Sequence, residues 1–432
     1  MDSIWMETAR MPRFKPLNGD LQTEVLIIGG GITGLLCAYF LEQAGVSYVL
    51  VEAGRICGGT TGRTTGKITA QHGLVYGRLI RALGEEPARL YLQAQRAALA
   101  RYRSLCRTID CDFQERDAYV YSLHDRGKLE EEADALARLG QPVELVGQTD
   151  LPFPVAGAIR FPDQGQFHPL KFLAAIARGL HIYEGTRALA WRPGRVSTTG
   201  GEIRADRVVA ATHFPFINNH GGYFLKLYQH RSYMLALSGA PELKGMYVDE
   251  NPAGMSFRSA GEFLLLGGGG HRTGKRGGGW RELEDFARRH YPQARVAGRW
   301  AAQDCMSLDG APYIGPCSRR TPELLVASGF NKWGMSGAMA AAELLTDLLT
   351  GRENPYAAAF APHRSSLRPQ LAANILHAAA GLLTPTVPRC PHLGCALKYN
   401  AQEHSWDCPC HGSRFTEEGK VLENPSNGNL KR

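Results

Sequence analysis

The first strong pattern along the chain is an unbroken apolar run. Glu24-Val25-Leu26-Ile27-Ile28 does not alternate after its first residue. A strand solvated on one face would alternate, so this run predicts a strand covered on both faces of a parallel sheet. Gly29 to Gly34 breaks the run, and 35–44 predicts a helix ended by Gly45. Residues 47–52 predict a second strand, and the whole makes a βαβ unit of about thirty residues.

The later patterns are more mixed. Residues 78–142 are rich in Ala, Leu, Arg and Glu, with helical spacing in Leu90, Leu92, Ala98, Leu99 and Tyr102, and predict a helical insertion. Residues 165–215 return to α/β, with a helix near 169–180 and strands near 183–191, 195–198 and 205–211. Strands at 232–237 and 262–266 predict a sheet covering a substrate. A strand at 324–327 and a helix at 337–349 follow. Pro12, Pro16 and Asn18-Gly19 predict an irregular arm over 1–20, and 353–387 reads as a Pro- and Ala-containing connector. The expected division is 1–20 as the arm; 21–80, 150–215 and 300–352 as a non-contiguous dinucleotide domain; 81–149 and 216–299 as a substrate or cap domain; 353–387 as connector; and 388–432 as a separate module.

Composition narrows the class. At ~150 residues per domain, 432 residues predict two or three domains. A hydrophobic content of 44% with 21% charged residues excludes a disordered chain. The net charge of +8 favours anionic ligands or a solvated basic surface, and no aromatic-interleaved basic patch points to nucleic acid. The first residues hold no apolar core of a signal peptide. The uncharged run 25–41 contains Gly29, Gly30, Gly31 and Gly34, which reads as strand, turn and buried helix rather than a membrane span. A cytoplasmic protein is expected. Cys37, Cys57, Cys106, Cys111, Cys305 and Cys317 show no metal spacing and are expected to be buried or inert thiols.

Gly29-Gly30-Gly31-Ile32-Thr33-Gly34 fits G-x-G-x-x-G. It follows a buried strand, opens a helix, and precedes Glu52 by 18 residues counted from Gly34. In that context it is a dinucleotide fingerprint. Gly29 allows the tight turn, Gly31 the approach of a pyrophosphate, and Gly34 close packing of helix on strand. The helix N-terminus offers free N–H groups and a positive dipole end. Glu52, with Ala53 beside it, accepts from a ribose hydroxyl. A second loop, Gly58 to Lys67, carries Thr60, Thr61, Thr65, Gly66 and Lys67 as further donors to the diphosphate and ring.

Together these loops resemble the D-amino-acid oxidase-like family of FAD proteins, which includes glycine and sarcosine oxidases. Val208-Val209-Ala210-Ala211-Thr212-His213 is similar to that family's strand near the cofactor. The segments Leu308 to Gly315 and Gly329 to Ser336 are similar to its C-terminal flavin segment. The resemblance covers roughly residues 21–352. It implies an α/β (α+β) fold, with a Rossmann-like FAD domain carrying an inserted substrate domain. It also adds Thr212, Gly315, Gly334, Met335 and Ser336 to the expected cofactor contacts. N–H groups at the helix start Gly334-Met335-Ser336 would face the flavin edge that becomes anionic on reduction.

The C-terminal stretch carries Cys390-Pro391-His392-Leu393-Gly394-Cys395 and Cys408-Pro409-Cys410-His411-Gly412-Ser413. Cys390 and Cys408 suit one iron and His392 and His411 the other, which is Rieske [2Fe–2S] ligation. A structural zinc with two Cys and two His is the alternative, for which C-x-H is poor spacing. The segment resembles the Rieske proteins of respiratory and photosynthetic cytochrome complexes, and a small all-β module is implied. The resemblance pairs Cys395 with Cys410 in a disulfide between the cluster loops, and gives Ser413 the role of a hydroxyl donor to a cluster sulfide. Phe415 stands where those proteins have Tyr, so one donor to the sulfur shell is missing and a lower potential is expected. Residues 371–388 lack the strands that normally precede the first cluster loop.

The chain as a whole resembles bacterial FAD-dependent oxidoreductases ending in a Rieske domain. Expected partners are a small amine or amino-acid-like substrate and an external one-electron carrier of ferredoxin or flavodoxin type. Substrate contacts are expected from His72, Arg258 and Tyr233 as catalytic candidates, with Arg231, Tyr228 and His271 beside them. Each also reads as an ordinary structural residue. Two other functions fit: a plain FAD oxidase whose tail holds zinc or no metal, and a redox-sensing flavoprotein.

Overall fold

The computed structural model describes residues 2–217, 220–385 and 388–430. Among them lie an eight-stranded, a nine-stranded and a four-stranded sheet. The strand Leu21–Ile28 is buried continuously over its last four residues, as its apolar run requires. It pairs in parallel with Tyr48–Val51 and with Gly201–Ala210, which pairs in parallel with Thr321–Ser328. The glycine-loop helix Ile32–Gln43 and the helix Gly334–Leu349 share one core through Leu35, Leu36, Ala338 and Ala341.

The nine-stranded sheet holds Leu227–Ser238 and Phe263–Arg272, where 232–237 and 262–266 were expected as strands. It also takes in Gly157–Gln166, expected in the dinucleotide domain, and Arg295–Ser307, which crosses the expected boundary between residues 299 and 300. The expected helical insertion contains helices Tyr76–Leu83, Glu85–Cys106 and Arg126–Arg138. It also contains a strand, Gln114–Ser122, in the same sheet. That strand begins QERD, and its partners Gly157–Gln166 and Met246–Asp249 are distant in sequence, so no local pattern marks it.

The arm is not irregular throughout. It forms the helix Ile4–Thr8, with Ser3, Ile4 and Trp5 buried. Trp5 Nε1 donates to Thr64 O at 2.7 Å and Ser3 Oγ to Gly62 O, so the arm braces the second glycine loop. The connector is largely helical too, in Ala357–Phe360 and Pro369–Leu383. Pro369 sits in the first turn, where its missing N–H costs nothing. The last sheet is antiparallel and made of Lys398–Asn400, Ser405–Asp407, Arg414–Thr416 and Val421–Glu423. No helix of the described residues is long and apolar enough to cross a membrane.

Candidate functional site

A cavity of about 870 Å³ runs between the two large sheets and reaches the C-terminal module. Gly29, Gly31, Ile32, Thr33, Glu52 and Ala53 line one end. The helix Ile32–Gln43 starts there with no side chain capping its N-terminus. Ile32 N donates to Thr61 Oγ1 at 3.1 Å, which ties the two glycine loops together. Other first-turn N–H groups face an open, lined space, which fits a diphosphate. Glu52 accepts from Gly30 N and Gly54 N at 2.7 Å each and keeps further lone pairs for a ribose hydroxyl.

The glycines act as close-approach positions. Gly29 has φ +110°, and a Cβ there would sit 2.5 Å from Ala211 O. A Cβ on Gly34 would sit 2.0 Å from Gly29 O. Gly34→Ala therefore forces the helix off the strand, a cost of about 1–3 kcal/mol or more by overpacking. FAD retention on a desalting column should fall sharply, and melting should be earlier. Normal FAD content would show that the helix does not need this contact.

Thr60, Thr61, Thr65 and Lys67 also line the cavity, as do Thr212, Gly334 and Met335. Gly30, Gly34, Gly66, Gly315 and Ser336 lie outside the lining. Gly315 instead pairs with Val326 at the sheet edge, and Ser336 Oγ donates to Thr69 O at 3.0 Å. Ser232, Ser256, Asp304, Lys332 and Trp333 line the cavity too. Lys332 and Trp333 fall inside the flavin-like segment Gly329 to Ser336 but were not singled out, and Ser232, Ser256 and Asp304 carry no motif that links them.

Beside the cavity, outside its lining, stand the two cysteine–histidine loops. Gly394 N donates to Cys390 O and Gly412 N to Cys408 O, both at 2.9 Å, so the loops close with the same turn. Cys390, Cys408 and His411 are buried. The His392 and His411 rings lie 4.9 Å apart at 84°. The facing Cys408 thiol, with help from Ser413, pulls Cys390 down to about 7. Burial holds His392 at about 4 and His411 at about 3, so both imidazoles are neutral, the form a metal needs. His411 Nδ1 is buried with no hydrogen-bond partner among the described residues. Cys395 and Cys410 form a disulfide with Cα atoms 6.6 Å apart. The sulfur atoms of Cys395, Cys408 and Cys410 crowd together, but two of them are committed to that bond. The donor set left is two thiols and two imidazoles, which fits a [2Fe–2S] cluster with Cys on one iron and His on the other.

The family model described as FAD dependent oxidoreductase (DAO) matches residues 24–348. The chain belongs to this family. A Rieske [2Fe-2S] domain model matches residues 374–432. That match starts inside the helix Pro369–Leu383. The Rieske 2Fe-2S iron-sulfur protein YhfW of Bacillus subtilis (strain 168) is 34% identical over 100% of this chain and 97% of its own length. Gamma-glutamylputrescine oxidoreductase of Escherichia coli (strain K12) is 25% identical over 78% of this chain and 86% of its own. Glycine oxidase from Geobacillus kaustophilus shares the fold, with a TM-score of 0.67 at 21% identity, covering 80% of this chain and 99% of its own. The protein is an FAD-dependent oxidoreductase with a Rieske domain, and its cofactors are FAD and a [2Fe–2S] cluster.

In this DAO-family chain the Rieske module is docked on the flavin cavity. Gln303 lines the cavity, and its Nε2 donates to Gly412 O at 2.9 Å, one residue past His411. Phe214, two residues past Thr212, lies 6.4 Å from the His392 ring and 6.3 Å from the His411 ring. Asn424 Nδ2 donates to Phe214 O at 2.9 Å and to Thr212 O. Val421, Leu422, Glu423, Asn424 and Asn427 of the module line the same cavity.

Several expected substrate contacts are placed elsewhere. Arg258 is fully buried, and its guanidinium donates to the carbonyls of Thr65, Gly66, Phe167 and Ser259. It holds the second glycine loop and is not free to grip a carboxylate. Tyr233 OH meets His271 Nε2 at 3.0 Å and donates to Glu403 at 3.1 Å, beneath the module and outside the cavity lining. Arg231 is the module's anchor: it pairs with Glu403 and, at 3.2 Å, with Glu423. Tyr228 packs under Arg272, 4.8 Å from its guanidinium. His72 does line the cavity, but Nδ1 meets Tyr91 OH at 2.6 Å and Nε2 meets Thr69 O at 2.8 Å. It stacks on Trp333 at 4.7 Å, and burial lowers it to about 3. Lys67 Nζ donates to Ser256 Oγ at 2.7 Å and Tyr247 O at 2.9 Å, and burial pulls its pKa down. Among the six cysteines expected to be inert, the Cys106 and Cys111 thiols lie 3.5 Å apart.

Phe415 packs fully buried in the module core with Cys390 and Cys408. Phe415→Tyr should add a hydroxyl to the sulfur environment and raise the cluster midpoint by on the order of tens of millivolts. A potentiometric EPR titration checks this; an unchanged or lower midpoint would count against the missing-donor account.

Proposed function

We propose that the protein oxidises a small amine or amino-acid-like substrate at FAD and passes the electrons one at a time through its Rieske cluster to an external carrier. The observation that carries this reading is Gln303, which lines the flavin cavity and holds the cluster loop at Gly412. A cluster docked there needs no domain movement to exchange electrons with FAD. Bound FAD supplies the hydride acceptor and can release its electrons in single steps.

The chain's residues bind, orient and keep charge in place. The Gly29 to Gly34 turn and Glu52 hold the dinucleotide. The start of the helix Gly334–Leu349 turns uncapped N–H groups toward the ring end. Lys332, held at φ +73°, presents its side chain to the cavity as a partner for a substrate carboxylate. Ser232 and Ser256 offer hydroxyls on the sheet side. The names of two relatives, gamma-glutamylputrescine oxidoreductase and glycine oxidase, support an amine or amino-acid class.

The test is anaerobic mixing of the holoprotein with a panel of amines and amino acids, followed by absorption and low-temperature EPR. The expected result is flavin bleaching followed by a rhombic Rieske-type signal. Flavin reduction that leaves the cluster oxidised, with hydrogen peroxide released in air, would overturn the reading in favour of a plain oxidase.

A further inference from the structure

We propose that the outer face of the helix Pro369–Leu383, together with the first cluster loop, is the docking surface for an acidic one-electron carrier protein. This rests on the reading that the cluster hands electrons to an external carrier, and it says where and to what kind of partner.

The inner side of this helix is tied to the cluster loops. A Cβ on Gly381 would lie 2.5 Å from Cys410 Sγ, and Gly381 O accepts from Ala396 N at 2.9 Å. Among the described residues the helix buries only Asn374 and Gly381. Its apolar side chains point the other way. Leu376 is 69% and Leu383 82% exposed, with Ile375 and Leu382 also exposed. The pairs 375/382 and 376/383 are two turns apart, so they form one stripe. Leu393 of the first cluster loop is exposed as well, and the neighbouring Gly394 lies against Leu382. A helix that turns its leucines outward next to a redox centre marks an interaction face.

The charge around the stripe selects the partner. The chain carries no carboxylate between Glu353 and Glu403. Exposed Arg389 joins the helix end to the cluster loop by donating to Leu382 O at 3.2 Å and Gly394 O at 2.7 Å. Exposed Lys275 and Arg276 follow Gly274, where a Cβ would lie 2.7 Å from Pro409 of the second cluster loop. An apolar centre with a cationic rim steers and buries an acidic partner. The position supports a carrier over other occupants. Both imidazoles pack against Phe214, and His411 also against Phe224, but His411 is buried whereas His392 is half-buried and next to exposed Leu393, so the first cluster loop is the one open to a partner. Electrons then leave through the exposed first cluster loop. For each substrate oxidised, two-electron-reduced flavin returns to the oxidised form, releases a proton, and reduces two carriers by one electron each.

The test uses the full-length holoprotein with an acidic blue-copper protein as probe and a basic cytochrome c as control. Binding is read by sedimentation, and electron delivery by stopped flow. The acidic probe should react faster at low salt, falling about tenfold as salt screens the rim. The double variant L376E/L383E should weaken acidic-probe binding at least about tenfold, while reduction of the cluster by flavin stays at the wild-type rate. Reversing the rim with K275E/R276E should slow the acidic probe and speed cytochrome c. Leu189→Glu, at an exposed leucine elsewhere, should change nothing. Unchanged binding and delivery in both double variants would overturn the proposal. So would loss, in L376E/L383E, of self-association or of binding to phosphatidylglycerol vesicles, since either assigns the face to another occupant. If flavin fails to reduce the cluster in the wild type, the parent reading fails, and the binding isotherms still decide the surface.

Discussion

Cys408→Ser should give a protein that keeps its FAD and loses its iron. Cys408 is fully buried and faces Cys390, so it has no substitute among nearby thiols. Cys395 and Cys410 are the closest alternatives and are joined to each other. Outer-shell changes at metal sites cost roughly 10–100-fold in affinity, and loss of a thiolate ligand should exceed that. Iron and sulfide should fall from about two each per chain to near zero. The FAD loops lie on other sheets, so flavin content and flavin reduction by substrate should not change. Delivery to a one-electron acceptor should fall with the iron. The disulfide spans a separation of 15 residues, worth about 3 kcal/mol, and together with the Arg231 anchor it should keep the empty module docked. Iron, sulfide and FAD assays on one preparation check this. Retained iron would require another ligand set; lost FAD would mean that the module supports the flavin site directly.

Arg231→Met should cost about 3–5 kcal/mol and loosen the module. Arg231 sits within the strand Leu227–Ser238 with its side chain 1% exposed. Its partners Glu403 and Glu423 both belong to the module, where Arg414 is shared among Glu403, Asp407 and Glu423. Removing Arg231 leaves two largely buried carboxylates competing for Arg414. Converting both to neutral amides as well, in R231M/E403Q/E423Q, should recover most of the loss, because the penalty is unpaired charge rather than a lost contact. The pH dependence follows the same charges. Burial opposes ionisation of Glu403 and Glu423, but Arg231 and Arg414 outweigh it and hold both below the usual carboxylate range. A lowered folded pKa contributes stability above the unfolded value of about 4.3, lost as pH falls through the folded value. Docking should therefore be intact at neutral pH and weaken in acid. Limited proteolysis and hydrogen exchange of residues 388–430 report it. A variant as protected as wild type would show that the anchor carries little of the docking.

The chemistry-bearing motifs were legible because their geometry is local. A dinucleotide turn needs its glycines within six residues and its acid at the next strand end, and a Rieske loop needs Cys and His two or three positions apart. Such spacings survive in a one-dimensional reading, and the sequence determined the dinucleotide turn, the cluster ligands and the strands and helices that present them, while the choice of FAD and the pairing of Cys395 with Cys410 came from the family resemblance those motifs carry. Other expectations failed where the partner is remote. Arg231 and Arg258 look alike in sequence. One finds Glu403, 172 residues away, and the other finds four carbonyls, those of Thr65, Gly66, Phe167 and Ser259. Gln114–Ser122 became a strand because Gly157–Gln166 and Met246–Asp249 offered open edges. The connector became a helix resting on the cluster's disulfide. Only the tertiary structure decided that the module sits on the flavin cavity. Docking depends on buried charge pairs and hydrogen bonds between distant segments, and no local periodicity encodes which distant group a buried charge will meet.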